Sequence, residues 1–279
     1  MRDYQSIIVE LHKGCARVTL NRPDRRNAFD ALMVEELCEV FRTLGQDHSV
    51  RTIILAGAGS TFCAGADLRW MGPDRIISLT EAQQDAERLL EMFRTIDACP
   101  CPVIGRIQGA AYGGGIGLIA ACDIAVAASD ATFTFSEVRL GLVPAVIAPF
   151  VLAKTGDSFV RRFCLTSEPF SASLAREGGL IHDVVEPAAL DARVAALVEQ
   201  ISPLAPQAVR DTKALLRRLR CLSDEERWKV CVEENVRARL SPEAQEGLRA
   251  FRERRTPDWA TPAGGGMRTN CGRSPQARG

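Results

Sequence analysis

The stretch YGGGIGL, residues 112–118, contains three consecutive glycines and a fourth glycine two positions later. Glycine is used where the backbone adopts a conformation that a Cβ forbids, or where another group must approach the backbone closely. A run of this density therefore predicts close contact with a bound group, with another helix or with a reacting carbonyl.

A second turn of small residues, STFCAGADL at residues 60–68, also follows an apolar strand. Two such turns, each leaving a strand, can direct two backbone N–H groups at one point. The second N–H would lie at the start of a helix predicted at residues 116–122, where unpaired N–H groups and the helix dipole favour negative charge. Two convergent N–H donors form an oxyanion hole, which stabilises an enolate or a tetrahedral oxyanion.

Nucleotide-binding motifs compete with this interpretation of the glycines. Residues 115–120, GIGLIA, fit G-x-G-x-x-A, and Glu137 follows about twenty residues later, as in a dinucleotide-binding unit. However, a short helix, two strands and a turn lie between them, whereas a dinucleotide-binding unit has one full crossover helix and one strand there. A P-loop is excluded because no GK[ST] follows. Close helix packing stays open as the explanation of any single glycine.

The order of the remaining elements predicts an α/β fold. Apolar alternation predicts strands and helical spacing of apolar residues predicts helices, in the repeated order strand, strand, helix. Asp30 and Thr80 are expected to cap two of the helices. Strands are predicted at residues 6–20 (a hairpin around Lys13-Gly14), 51–57, 102–109, 124–128 and 132–135.

Composition divides the chain into three parts. Residues 1–195 carry the strand–strand–helix order and are predicted to form the core that holds the ligand site. Residues 196–259 have the spacing of amphipathic helices, which usually cover a core or form a subunit interface. Residues 260–279 contain almost no large apolar side chain and are predicted to be a disordered tail.

Charge and residue usage narrow the function classes. The 279 residues include 35 basic and 35 acidic side chains, and this balance provides no electrostatic footprint for nucleic acid or a membrane surface. No apolar run approaches the ~20 residues of a transmembrane helix. The three histidines are scattered, so no metal site is expected. The ten cysteines follow no metal or disulfide spacing and, without a secretion signal, predict reduced thiols in a cytoplasmic protein.

The segments FCAGADL (62–68) and GRIQGAAYGGGIGLIAACDIAVAASDATFTFSEVRLGLVP (105–144) resemble the two signature regions of the crotonase, or enoyl-CoA hydratase/isomerase, superfamily. The similarity covers about residues 5–259. It implies a crotonase-like spiral of ββα turns, a C-terminal helical region that builds homotrimers or hexamers, and an acyl-CoA thioester substrate. It implies no cofactor, since the coenzyme A is part of the substrate.

The resemblance also implies three catalytic positions. The backbone N–H groups of Ala66 and Gly114 would hold the thioester oxygen. Glu137 stands where the family places a glutamate that moves protons, although a surface acid at a sheet edge is the alternative for this residue. A largely apolar pocket would raise the pKa of such a carboxylate and suit it to proton transfer.

Further residues are implied for the coenzyme A. Family members bind the adenine along the segment before the first oxyanion residue, here assigned to Ala64–Leu68, with Ala64, Asp67 and Leu68 as the predicted contacts. Arg25 and Arg26 are the expected neighbours of the nucleotide phosphates, and a solvated loop explains the two arginines equally well.

The sequence departs from two-glutamate hydratases of this superfamily at two places. Those enzymes carry a second acid in the pattern GGGxE, and this chain has Gly117 at that position. Many members continue with a glycine-rich run after Pro144, and this chain continues AVIAPFV. The mechanism in which one glutamate activates water while the other protonates Cα therefore does not transfer.

Three interpretations stay open at this point. Glu137 alone could serve a hydratase, first as base toward water and then as acid toward Cα. A Δ3,Δ2-enoyl-CoA isomerase also needs only one base. An inactive acyl-CoA binder would keep the fold and the oxyanion hole.

The AVIAPFV loop together with GGGIGL and SEVRLGL most resembles bacterial hydratases of branched, carboxylated enoyl-CoAs. Such substrates are 3-methylglutaconyl-CoA in leucine breakdown and isohexenylglutaconyl-CoA in terpene breakdown, so a hydratase of this class is the prediction. Arg139 is a candidate partner for the substrate carboxylate, with an ordinary surface or interface arginine as the alternative. Cys63 and Asp123 are predicted to have structural roles.

Overall fold

The computed structural model describes residues 3–72 and 78–260. Within these residues, nine strands form a six-stranded sheet and a three-stranded sheet. The strands are β1 (Ile7–His12), β2 (Cys15–Leu20), β3 (Thr52–Gly57), β4 (Val103–Ile107), β5 (Ala110–Tyr112), β6 (Ile124–Ala128), β7 (Thr132–Thr134), β8 (Phe170–Ser171) and β9 (Asp183–Val185).

The same residues form ten α-helices, none of them long and apolar enough to cross a membrane. One helix is interrupted at Gly156, which has a φ of 74°. The helices are α1 (Ala31–Gln46), α2 (Leu68–Met71), α3 (Leu79–Ala98), α4 (Gly114–Ala121), α5 (Ala148–Thr166), α6 (Ala172–Glu177), α7 (Leu190–Ile201), α8 (Pro206–Leu219), α9 (Asp224–Leu240) and α10 (Pro242–Glu253).

The larger sheet has the strand order β1-β2-β3-β4-β6-β9. Its first two strands form the predicted antiparallel hairpin, and its other neighbours are parallel. Both faces of this sheet are covered, so β3 is buried at every position. Ile53 and Leu55 belong to the main core, whereas Ile54 faces a second apolar cluster under α7. The alternation follows from the period of two of a strand.

The smaller sheet, β5-β7-β8, explains the repeated strand–strand–helix order. After a strand of the larger sheet the chain makes a short strand of the smaller sheet and then a helix, in the units β4–β5–α4 and β6–β7–α5. A single bridge between Cys63 and Ala111 places the segment after β3 beside β5 in the same way. The predicted spiral of ββα turns is confirmed.

Helix caps were predicted correctly at one helix and wrongly at another. The Asp30 carboxylate caps α1, as expected. Ser78, and not Thr80, caps α3: its hydroxyl accepts from the Glu81 N–H at 3.2 Å, and the Glu81 carboxylate accepts from the Ser78 N–H at 2.8 Å. This reciprocal pair satisfies two N–H groups at once, and Thr80 lies inside the first turn.

The boundary predicted at residue 195 falls inside α7. The apolar side of that helix, Leu190, Val194 and Leu197, packs on the larger sheet, so α7 covers the core although its composition resembles that of the later helices. The helices beyond the sheet begin with α8. After residue 260, the predicted tail lies outside the described residues.

Arg210 attaches α8 to the core. Its side chain is 9% exposed and donates hydrogen bonds to the carbonyl oxygens of Gly45 (2.7 Å), Asp47 (3.0 Å) and Val50 (3.0 Å). Gly45 lies in the last turn of α1, and Asp47 and Val50 belong to the segment that joins α1 to β3. One guanidinium therefore donates to three carbonyls of this segment, of which the Asp47 carbonyl also accepts from the Val50 N–H at 3.1 Å.

Replacing Arg210 with methionine is expected to lower the free energy of unfolding by about 2–4 kcal/mol, because buried carbonyls lose their donors. Denaturant titration followed by circular dichroism measures this loss. Arg218→Met, on the same helix but exposed, is the control and should change stability little. Equal losses in the two variants would contradict the role of Arg210.

Candidate active site

A cleft of about 440 Å³ is lined by both signature segments, by α3 and by the loop that precedes α5. Most of its lining is apolar, and its ionisable side chains are Glu137, Arg139, Arg26 and Tyr112. The apolar lining includes Phe29, Ala66, Leu68, Met71, Leu89, Phe93, Leu140, Leu142, Val143, Pro144, Val146 and Ile147.

The first signature segment is held by backbone pairing to Phe29. The Phe29 N–H donates to the Gly65 carbonyl at 2.9 Å, and the Asp67 N–H donates to the Phe29 carbonyl at 2.9 Å. In a parallel bridge of this kind the intervening residue, Ala66, directs its own N–H to the opposite side. That N–H has no acceptor among the described residues.

The second signature segment supplies a helix start. α4 begins at Gly114, two residues earlier than predicted, so the Gly114 N–H is one of the first-turn donors that a helix leaves unpaired. Gly113 precedes it with φ 45° and ψ −114°, a backbone conformation that is strained for any residue with a side chain. The Gly113 N–H donates to the Thr134 carbonyl at 3.0 Å, which fixes the turn to β7.

The two segments are in direct backbone contact. The Tyr112 N–H donates to the Cys63 carbonyl at 3.0 Å. A Cβ added at Gly65 would lie 2.8 Å from the Tyr112 oxygen and 3.2 Å from the Gly114 nitrogen. The structure therefore brings together the two segments whose N–H groups, at Ala66 and Gly114, the sequence assigns to one oxyanion.

Glu137 lies beside this pair of segments. A Cβ added at Gly113 would lie 2.9 Å from Oε1 of Glu137, so the carboxylate occupies the space over the glycine turn. Oε2 is buried and has no hydrogen-bond partner among the described residues. Burial raises the pKa of Glu137, and backbone hydrogen bonds from Glu137 itself and Ser136 oppose this only in part. Such a carboxylate is suited to accept and return a proton.

Gly117 and the AVIAPFV loop meet in space. A Cβ added at Gly117 would lie 2.4 Å from Cγ2 of Ile147 and 2.9 Å from Cε1 of Phe93. Ile147, which belongs to the loop, fills the space that a side chain at Gly117 would need. The two departures from the two-glutamate pattern are therefore one packing arrangement, in which an apolar side chain replaces an acid.

The residues predicted to contact coenzyme A are only partly brought together. Arg26, Ala64 and Leu68 line the cleft, and Leu68 is 57% exposed. Arg25 does not line the cleft and forms an ion pair of 3.6 Å with the preceding aspartate. The assignment of all five residues, including Asp67, stays a prediction.

The side chain of Asp67 serves the local structure. Its carboxylate accepts from the Arg22 guanidinium at 3.1 Å and from the Arg69 N–H at 3.0 Å, which caps α2. Asp67 also does not line the cleft. Both contacts hold the chain that follows Ala66 in place.

Two residues that position the site were missed in the sequence. Asn27 is fully buried with a φ of 56°, and its amide nitrogen donates to the Ala58 and Thr61 carbonyls, each at 2.8 Å. Phe29 packs on the glycine turn, since a Cβ added at Gly114 would lie 2.4 Å from its Cζ. In the segment NRPDRRNA, the sequence assigns roles only to Arg25 and Arg26. An Asn at a left-handed position was the available signal.

The structural roles predicted for Cys63 and Asp123 are confirmed. The Cys63 thiol is buried, and burial raises its pKa to about 12. Asp123 pairs with Lys213 at 2.6 Å and accepts from the Val103 N–H at 2.8 Å. The described residues contain no cluster of three or more His, Cys, Asp or Glu side chains that could hold a metal ion.

Comparison with known proteins agrees with this geometry. The family model for enoyl-CoA hydratase/isomerase matches residues 10–262. A protein named enoyl-CoA hydratase AKT6-1 from Alternaria alternata is 36% identical over 244 residues, 87% of this chain and 80% of that protein. The human mitochondrial Delta(3,5)-Delta(2,4)-dienoyl-CoA isomerase is 34% identical over 226 residues, 76% of this chain and 69% of that protein.

A solved structure is also similar. The crystal structure of an enoyl-CoA hydratase from Shewanella pealeana superimposes with a TM-score of 0.87 at 37% identity, covering 91% of this chain and 96% of that one.

Replacing Glu137 with glutamine is expected to stabilise the protein at neutral pH. Because burial raises the native pKa, the wild type loses stability as pH rises from the unfolded value of ~4.3 through the native value, and the loss is complete above it. Glutamine cannot ionise, so the variant should be the more stable protein at pH 7. The advantage should vanish once pH falls below the unfolded value.

Denaturant midpoints of both proteins at pH 4 and pH 7 measure this difference. Glu225→Gln, at a side chain 83% exposed, is the control and should show no such change. A Glu137→Gln variant less stable than the wild type at pH 7 would show that the carboxylate is not destabilised by its site.

Proposed function

The chain belongs to the enoyl-CoA hydratase/isomerase family, and we propose that it adds water across the α,β double bond of an enoyl-CoA thioester. One observation carries the proposal: the desolvated carboxylate of Glu137, whose Oε2 has no hydrogen-bond partner among the described residues, lies beside the backbone segments that present the Ala66 and Gly114 N–H groups. A thioester oxygen bound to those N–H groups would be stabilised as it gains negative charge. Removal of one such donor typically costs ~10²–10³ in rate.

A single glutamate can carry both proton transfers. Glu137 takes a proton from water as the oxygen bonds to Cβ, and the double-bond electrons move toward the thioester oxygen. The protonated Glu137 then returns the proton to Cα on the same face, and the carbonyl re-forms. The packing of Ile147 against Gly117 supports this one-acid scheme, since no second acid fits at that position.

An isomerase is the second candidate. Moving a double bond needs one base that takes a proton from one carbon and returns it to another, and the same enolate is stabilised. Glu137 is the one carboxylate among the described residues that line the cleft, and this together with the likeness to a dienoyl-CoA isomerase favours it. An acyl-CoA binder without activity is the third outcome that an assay would distinguish.

For the acyl group we propose a branched, carboxylated chain such as 3-methylglutaconyl. The apolar lining of the cleft suits a branched alkyl group, and Arg139 provides a cation in the same cleft. One Arg139 nitrogen donates to the Ser167 carbonyl, and no carboxylate of the described residues forms an ion pair with this guanidinium. Its remaining N–H groups suit a substrate carboxylate.

For the assembly we propose a homotrimer or hexamer built through the C-terminal helices. α9 exposes a row of apolar side chains four residues apart, Trp228 (69%), Val232 (65%), Val236 (51%) and Leu240 (71%). A row of this kind is typical of a covered interface. Coenzyme A is proposed to contact Arg26, Ala64 and Leu68, and cysteine usage is the basis for a proposed cytoplasmic location.

The reaction is tested with 3-methylglutaconyl-CoA and product mass. We expect loss of the conjugated enoyl absorbance and a product heavier by one water. Glu137→Gln should lower kcat/KM by at least ~10²-fold, because the proton carrier is lost, while acyl-CoA binding persists. A product of unchanged mass would indicate isomerisation, binding without turnover would indicate the binder, and a near-full rate in Glu137→Gln would refute the single-glutamate scheme.

The substrate carboxylate is tested by replacing Arg139 with glutamine. The loss of a charge-assisted hydrogen bond should lower kcat/KM for 3-methylglutaconyl-CoA about 10–100-fold and change crotonyl-CoA hydration little. Arg139→Lys, which keeps the charge, should retain part of the rate. Equal losses on both substrates would mean that Arg139 acts on the fold through Ser167.

A further inference from the structure

A second cavity, of about 300 Å³, lies at the opposite end of α4 from Gly114 and is bordered by α5 and α8. α4 has eight residues, so its two ends are about 12 Å apart. Four cationic and two anionic side chains line the cavity, so positive charge is in excess there. They are Lys154, Lys213, Arg217, Arg220, Asp97 and Asp123.

Both carboxylates of this cavity are already paired. Asp123 lies 2.6 Å from Lys213, and Asp97 lies 3.5 Å from Arg220. Lys154 and Arg217 also line the cavity, and neither forms an ion pair with a described residue. The excess of positive charge is therefore carried by these two side chains.

The amino group of Lys154 is largely buried at the C-terminal end of α4. Its Nζ donates to the Cys122 carbonyl at the end of α4. Burial lowers the pKa of Lys154, and the Arg220 guanidinium adds to this, whereas Cys122 and the Asp123 and Asp97 carboxylates oppose it in part. A desolvated lysine near another cation is a recurrent form of amine nucleophile. The Cys122 thiol in the same cavity is fully buried, and burial raises its pKa to about 12, so it does not compete.

The other lysines of the chain differ from Lys154. The chain has four lysines in all. Lys213 is paired with Asp123, Lys229 is paired with Glu225 at 3.2 Å, and Lys13 is exposed in the β1–β2 turn. Lys154 alone among them combines burial with the absence of a carboxylate partner in the described part of the chain.

We propose that Lys154 is a site of covalent acylation by acyl-CoA thioesters. The Lys154 amine attacks the thioester carbonyl carbon, a C–N bond forms, and the C–S bond breaks. Coenzyme A leaves as a thiol with the proton that the nitrogen loses, so the products are an amide on Lys154 and free coenzyme A. The step needs no oxidant and no further reactant.

The cavity also suits the rest of this reagent. A volume of about 300 Å³ accommodates a short acyl group and the thioester, while the nucleotide stays outside. Arg217, on α8, and Arg220, directly after its last residue, are both exposed and supply cations for its phosphates. Acylation removes the positive charge of Lys154 at the end of the helix that begins with the Gly114 donor. The reaction needs neither a double bond nor Glu137, so it is independent of the proposed hydration.

The test uses acetyl-CoA, which has no double bond to hydrate. Wild-type protein is incubated with acetyl-CoA at neutral pH, and acetylation of the four lysines is followed by peptide mass spectrometry. Lys154 should be acetylated at least ~10-fold faster than Lys229, whose ammonium is exposed and paired. A rate at Lys154 equal to or below the rates at Lys13 and Lys229 overturns the proposal. The wild type alone decides this, whatever the folding of any variant.

Variants identify the parts of the site. Lys154→Arg keeps the charge and should remove the fast acetylation, while the rates at Lys13 and Lys229 stay unchanged. Arg217→Gln should slow Lys154 acetylation severalfold with acetyl-CoA but leave it unchanged with S-acetyl-N-acetylcysteamine, a thioester without a nucleotide. Arg218→Gln, one residue outside the cavity lining, is the matched control. Equal rates in the Arg217 and Arg218 variants with acetyl-CoA overturn the role of Arg217.

Discussion

The backbone contact between Gly65 and the segment Tyr112–Gly114 is the constraint on which the rest of the site depends. The two backbone segments approach so closely that a Cβ added at Gly65 would lie 3.2 Å from the Gly114 nitrogen. A side chain can rotate away from a clash. The two backbone segments cannot separate without losing the hydrogen bond from the Tyr112 N–H to the Cys63 carbonyl. The glycines therefore serve a distance requirement, and the neighbouring residues are arranged to maintain it.

Those neighbours act mainly by satisfying backbone groups. The Asn27 side-chain amide donates to the carbonyls that follow β3. The Phe29 backbone pairs with the first signature segment, and its ring packs on the second. The Thr134 carbonyl accepts from the Gly113 N–H. Each of these hydrogen bonds gives a partner to a backbone polar group that burial would otherwise leave without one. Three groups at the cleft have no such partner among the described residues: the Ala66 and Gly114 N–H groups and Oε2 of Glu137. Their lack of partners costs stability, and this cost is typical of sites that act on a ligand.

More of the fold than of the candidate site could be predicted from the sequence. The hairpin at Lys13-Gly14, the buried strand β3 and the spiral of ββα turns were predicted from the spacing of apolar residues and from turn-forming residues. Both signals are local, since each involves only a few neighbouring positions in the sequence. The cap of α3 was assigned to Thr80 because two hydroxyl residues lie close together, and only the reciprocal bond with Glu81 distinguishes Ser78. The boundary at residue 195 failed to mark the end of the core because α7 has the composition of the later helices but packs on the sheet.

By itself the sequence determined the family, the order of strands and helices, and the two turns whose glycines imply backbone contact. Each of these can be predicted from residues that are close together in the sequence. Only the tertiary structure showed that Ile147 fills the space at Gly117 and that the Asp67 carboxylate pairs with Arg22. It also showed that Asn27 holds the first signature segment and that Lys154 has no carboxylate partner among the described residues. Each of these depends on residues far apart in the chain meeting at a few ångströms. The pKa values of Glu137 and Lys154 depend on burial and on neighbouring charges and hydrogen-bond partners. These exist only after folding has brought the distant residues together.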